Sequence, residues 1–105
     1  MNIQIQSVHF AADKQLKDFI NKKVEKLISI DDSIINADVY LKVDKPESHD
    51  NKIAEIKLHS SASKYFAKKQ ANSFEKSIDL ASQALKKQIL KTSKTKLKNL
   101  LVLNI

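Results

Sequence analysis

The chain has 105 residues, with 19 basic residues against 12 acidic ones, a formal net charge of +7 and 42% hydrophobic residues, which suits one globular domain and excludes a disordered chain. It contains no Cys and no Gly, which excludes a disulfide framework, a thiolate zinc site, a cysteine nucleophile and every glycine-dependent phosphate loop. All of the basic residues are Lys, so the positive surface consists of flexible point charges, which suit phosphate backbones better than base edges.

The opening residues Met1-Asn2-Ile3-Gln4 have neither a basic start nor a long apolar run. No segment approaches the ~20 apolar residues of a membrane span. The reading is a cytoplasmic protein with no membrane partner. Ile3 and Ile5 alternate with Asn2, Gln4 and Gln6, which predicts a strand to about Val8. Asp13 is the N-cap of a helix in which Leu16, Phe19, Ile20, Val24, Leu27 and Ile28 recur every three or four residues, ending between Ser29 and Asp32. Ala37, Val39, Leu41 and Val43 then alternate with polar residues in a strand that Pro46 stops, and Glu47 to Asn51 form a loop. Ala54, Ile56 and Leu58 mark the inward side of a third strand, and Ser60 to Ser63 turn into a fourth, Lys64 to about Ala71. Asn72, three residues before Glu75, resembles a capping box for a second helix with Phe74, Ile78, Ala81, Leu85 and Ile89 on one side.

The predicted fold is α+β, in the order β-α-β-β-β-α, with two helices packed on one face of a four-stranded, mainly antiparallel sheet. Its first strand-helix-strand unit is a crossover between parallel strands. The other sheet face stays wet.

Nothing in the chain points to catalysis, a cofactor, a metal or a small-molecule substrate. His9, His49 and His59 have no local metal-ligand spacing, and His59 on the wet strand face is most simply a surface residue. Charge is the informative feature. Nine Lys and ten acids lie between Met1 and Ser63, whereas Lys64 to Lys98 holds ten Lys and two acids, and from Lys86 onward there are six Lys and no acid. On an ideal helical wheel Lys76, Lys87, Lys91, Lys94 and Lys98 lie opposite Ile78, Leu85 and Ile89. A solvated face normally mixes signs, and five like charges on one stripe are better relieved by an external polyanion. Lys22, Lys23 and Lys26 add a second basic group on the first helix, with the stem of Lys23 along the core edge. Side by side on the sheet, the two helices would border a basic groove. Lys64 and Lys68 on the fourth strand share a face with Phe66, and Lys69 takes the other. Phe66 is either a stacking surface or plain packing.

The end of the chain, Leu100 to Ile105, has five large apolar residues in its last six. This tail either frays or docks, and it docks either on its own domain or along the sheet edge of a second copy to form a homodimer.

Several blocks together resemble a known family. Lys17-Asp18-Phe19-Ile20, Lys23-Val24-Glu25-Lys26-Leu27, Ala37 to Val43, Ala54 to His59 and Phe74 to Ala81 are similar in order and spacing to the ribosome hibernation-promoting factors, which include the ribosome-associated inhibitors of translation. The similarity covers Met1 to about Lys96. It implies a fold like that of double-stranded-RNA-binding domains, and a non-enzymatic translation regulator for stress or stationary phase. Such a regulator binds the small ribosomal subunit and its rRNA in the channel for mRNA and tRNA. The family's basic positions correspond to Lys23 and Lys26 in the first helix and Lys86, Lys87, Lys91 and Lys94 in the second; His59 matches a common His. Ser61-Ala62-Ser63 stands where the family turn usually has Gly, Lys69 replaces a small residue, and the terminal residues are not the usual polar tail. The expected organisation is a short form: one ribosome-binding domain over residues 1–98 and an apolar tail over 99–105. The competing readings are a generic double-stranded RNA-binding module, and a small enzyme or interaction domain whose charge serves only solubility.

Overall fold

Asp13 decides where the first helix begins. Its carboxylate accepts the backbone N–H of Leu16 at 2.8 Å, so the helix opens at the next residue. The computed structural model describes residues 2–8, 10–45, 47, 49–61 and 63–103, with side chains as far as residue 92. Its elements are β1 (Asn2–Val8), α1 (Lys14–Ile30), β2 (Ile34–Val43), β3 (Lys52–Ser60), β4 (Lys64–Ala71) and α2 (Phe74–Leu103). His9, Pro46, the side chains of Lys94 and Lys98, and the side chains of the apolar tail lie outside the described residues.

The strands form one sheet in the order β1-β2-β3-β4. β1 pairs parallel to β2, with Ile3 beside Ala37 and Ile5 beside Val39. The β2–β3 and β3–β4 pairs are antiparallel. The strict two-residue alternation sends Ala37, Val39, Leu41, Ala54, Ile56, Leu58, Tyr65 and Ala67 to one side, where they form a single buried cluster with Ile20, Val24, Ile78, Leu85 and Ile89 of the helices. Both helices therefore cover the same sheet face. Each fully buried Leu or Ile there contributes roughly 1.5–3 kcal/mol of transfer free energy. The alanines at 37, 54 and 67 leave space for the bulkier helix side chains.

Two boundaries differ from the sequence reading. β2 begins at Ile34, not Ala37. The Asp31 carboxylate accepts the N–H and Oγ–H of Ser33 at 3.0 and 2.6 Å, and Ile34 N–H donates to the Asp31 carbonyl, so the chain reverses within three residues and pairs at once. A register shift between Ile34 and Asn36 breaks the alternation that would have marked these residues as strand. At α2 the N-cap is Ser73 rather than Asn72: Ser73 Oγ accepts the N–H of Lys76 at 3.1 Å. The Ser73 carbonyl also accepts the N–H of Ser77 at 3.1 Å, so Phe74 is the first helical residue, and its ring stacks on Phe10 with centroids 4.8 Å apart.

The turn without glycine closes through serine. Ser60 N–H donates to the Ser63 carbonyl at 2.9 Å, and Ser60 Oγ accepts the Ser63 N–H at 2.8 Å. α2 continues through Leu103, past the expected domain boundary at residue 98, with neither Pro nor Gly in its sequence to stop it.

Candidate nucleic-acid interface

The amphipathic period of each helix turns its lysines away from the sheet. Lys22 and Lys26 of α1 and Lys86, Lys87 and Lys91 of α2 are exposed. Among the described residues Lys22, Lys26, Lys86 and Lys87 form no ion pair. Lys23, Lys26 and Ile30 of α1 face Asp79, Ser82, Gln83 and Lys86 of α2 across a shallow groove. The helices thus border a basic groove, as the sequence suggests.

Lys23 departs from expectation in one respect. Its stem lies beside Phe19, with the ammonium 5.5 Å from the ring centroid, but that ammonium is not left to water: it reaches Asp79 Oδ1 at 2.9 Å. The hydrogen bond from Lys23, with the attraction of its charge and a second hydrogen bond from Gln83, holds the Asp79 carboxyl below its ordinary range against partial desolvation. Asp79 is one of the two acids in the basic half of the chain, and its role is to join the helices. A lysine inside the apolar arc of α1 and one of the two acids of α2, next to Ile78, were the signals available for this pair.

The remaining candidates lie elsewhere. Lys64, Phe66 and Lys68 alternate with Tyr65 and Ala67, so they stand on the sheet face opposite the helices, with Lys57 and His59 of β3 as their cross-strand neighbours. His59 Nε2 lies 3.0 Å from Asp38 Oδ2, and Lys68 Nζ lies 3.7 Å from Glu55 Oε1. The structure therefore divides the candidate set between two surfaces: a helix layer with Lys22, Lys23, Lys26, Lys86, Lys87 and Lys91, and an outer sheet face with His59, Lys64 and Lys68. Phe66 is 46% exposed, so it is not core packing. Lys57, whose ammonium sits 5.9 Å from the Phe66 ring centroid, was not singled out by the sequence; its alternation with Ile56 and Leu58 was the available signal. Among the described residues no group of three His, Asp or Glu side chains is placed to hold a metal ion, and no helix is long and apolar enough to cross a membrane.

A family model described as Sigma 54 modulation protein / S30EA ribosomal protein matches residues 3–98. Among solved structures, the chain is similar to a ribosomal subunit interface protein from Coxiella burnetii, with 21% identity and a TM-score of 0.79 over 90% of this chain and 99% of that one. It is also similar to the Protein Y N-terminal domain from Thermus thermophilus, with 20% identity and a TM-score of 0.75 over 88% of this chain and 99% of that one. At these identities the two structures establish the β-α-β-β-β-α fold. No curated protein sequence matches significantly.

Proposed function

The chain belongs to the Sigma 54 modulation protein / S30EA ribosomal protein family, and from that premise we propose that it is a ribosome-associated translation inhibitor of the hibernation type. It binds the rRNA of the small ribosomal subunit through its helix layer, in the cytoplasm, and occupies the channel for mRNA and tRNA in stressed or stationary cells. Occlusion needs no bond chemistry, so the protein acts without catalysis or a cofactor. The observation that carries this reading is the set of exposed lysines at 22, 26, 86 and 87, which among the described residues form no ion pair and come from both helices on one side of the sheet. Lysine ammoniums gain by meeting phosphates and releasing the counterions condensed there.

Co-sedimentation with purified small subunits on a sucrose gradient tests the reading, with a plain RNA duplex as competitor. The protein is expected in the small-subunit fraction, displaced by mRNA with tRNA but not by an equal mass of duplex. Displacement by any duplex would instead identify a generic double-stranded RNA-binding module. The variant Lys86→Glu/Lys87→Glu should leave the ribosomal fraction while keeping the wild-type circular dichroism spectrum, because both side chains are exposed. Lys45→Glu, in the β2–β3 loop, should sediment as the wild type does. If both variants stay bound, the helix layer is not the contact surface.

A further inference from the structure

The sheet face opposite the helices carries a feature that the helix-layer reading does not use. On β4 the Phe66 ring is exposed between Lys64 and Lys68, and Lys57 lies across from it on β3 with its ammonium over the ring. Beside the ring is an open hollow of about 230 Å³ bordered by Lys57, His59 and Lys64. That is many times the ~10–15 Å³ that a single water requires, so the hollow has room for more than one ordered water. His59 is held in place by Asp38.

Phe66 is also fixed from behind. β4 is an edge strand, and at Phe66 its outward N–H and carbonyl are both taken by the side-chain amide of Gln88 on α2: Phe66 N–H donates to Oε1 at 3.3 Å, and Nε2 donates to the Phe66 carbonyl at 2.8 Å. This clamp closes the edge at that point to strand addition by a second copy. A large apolar ring left exposed on a strand whose backbone is pinned is a preorganised contact surface.

We infer that this face is a second RNA contact, taking single-stranded or looped RNA with one base stacked on Phe66 and the neighbouring phosphates on Lys57, Lys64 and Lys68. Two observations select this occupant. Two of the six residues that line the hollow, Lys57 and Lys64, are lysines beside the apolar Leu58, Tyr65 and Phe66, which matches a polyanion that also offers a flat apolar face. The aromatic ring needs a base whose face is free, and a duplex keeps its bases stacked on one another. With no Arg in the chain, no guanidinium fork reads a guanine edge here, and stacking and phosphate contact lead the binding. The inference stands on the sheet face alone and does not require the helix layer to bind the ribosome.

The test measures fluorescence anisotropy of a labelled ten-nucleotide oligo(A) RNA, and of a ten-base-pair RNA duplex, with the full chain. Phe66→Ala should weaken oligo(A) binding about tenfold, in line with alanine substitution at other base-stacking aromatics, and change duplex binding less than twofold. Phe66→Tyr should bind oligo(A) as the wild type does, and Phe66→Leu should behave like Phe66→Ala. Ile35→Ala, which removes another exposed apolar side chain, should have no effect on oligo(A). Unchanged oligo(A) binding by Phe66→Ala, or full binding by Phe66→Leu, overturns the stacking model. Loss of self-association in light scattering with unchanged oligo(A) binding overturns it in favour of a second copy on this face. The Lys86→Glu/Lys87→Glu variant keeps the two readings apart: if it loses small subunits while Phe66→Ala retains oligo(A), the helix layer stands and the sheet-face inference falls.

Discussion

Tyr65 places a phenol among apolar neighbours, where its hydroxyl needs a partner. It is 4% exposed and donates to Asp31 Oδ2 at 3.2 Å, which ties β4 to the turn between α1 and β2. Burial pushes the phenol above its ordinary value of 10, and the hydrogen bond to Asp31 and the negative charge there add to the effect, while hydrogen bonds with Ser63 and Thr92 oppose it. The folded state therefore holds this proton more tightly than the unfolded chain does. Its contribution to stability is fully present below the unfolded value and is lost as pH rises above about 10 through the folded one. Tyr65→Phe removes the hydrogen bond to Asp31, those with Ser63 and Thr92, and the titration. The expected outcome is a loss of about 1.5–3 kcal/mol at pH 7, the usual net worth of a hydrogen bond to a charged group. The decline in melting temperature above pH 10 should become shallower than in the wild type. Thermal melts at pH 7 and pH 10.5 measure both, and an unchanged alkaline decline would show that another group controls it.

Between elements, the Lys23–Asp79 pair does for the two helices what Tyr65 does for the turn. The folded carboxyl of Asp79 is lowered from its ordinary value of 3.8 by the Lys23 hydrogen bond. Its stabilisation is thus present above that value and is lost as pH falls through the lower folded one. The two side chains are 30% and 42% exposed, so solvent screening keeps the worth of the pair under about 1 kcal/mol. Asp79→Asn should lower the urea midpoint slightly at pH 7 and match the wild type at pH 2, and 0.5 M salt should shrink the difference at pH 7. A difference that persists at pH 2 would mean that Asp79 acts through packing. Most of the elements were legible in the sequence for equally local reasons. Asp13 announces α1 through a cap, and β4 runs over the predicted residues, with Tyr65, Ala67 and Ala71 buried and Lys69 the break in the alternation. The start of α2 was not legible, because Asn72 and Ser73 are both good caps and Glu75 fits a capping box counted from Asn72. The fold uses Ser73, and it sets Phe74 against Phe10, a contact between residues far apart in the chain that local sequence does not display. The early start of β2 was hidden by its irregular register.

At the scale of the whole molecule, the excess of lysine in the second half of the chain was visible in the sequence, whereas its division between two surfaces depends on the assembled sheet. Strand parity puts Lys64 and Lys68 together, but only the packing of both helices on one face sets those lysines opposite the groove. The division changes what a salt titration reports. Each lysine that meets a phosphate contributes about −0.7 to −0.9 to the slope of log affinity on log salt, the lower figure for single strands and the higher for duplex. If about six lysines engage rRNA, the slope for small-subunit binding should be roughly −4 to −5. Lys86→Glu/Lys87→Glu removes two contacts, so any residual binding should show a slope shallower by about 1.5 or more. Phe66→Ala removes an uncharged contact; it should weaken binding at every salt concentration and leave the slope where it was. Affinities measured between 50 and 300 mM KCl for the three proteins separate these effects. A wild-type slope near zero would reject phosphate contact as the source of affinity, and a slope altered by Phe66→Ala would mean that the ring acts by placing Lys57 rather than by stacking on a base.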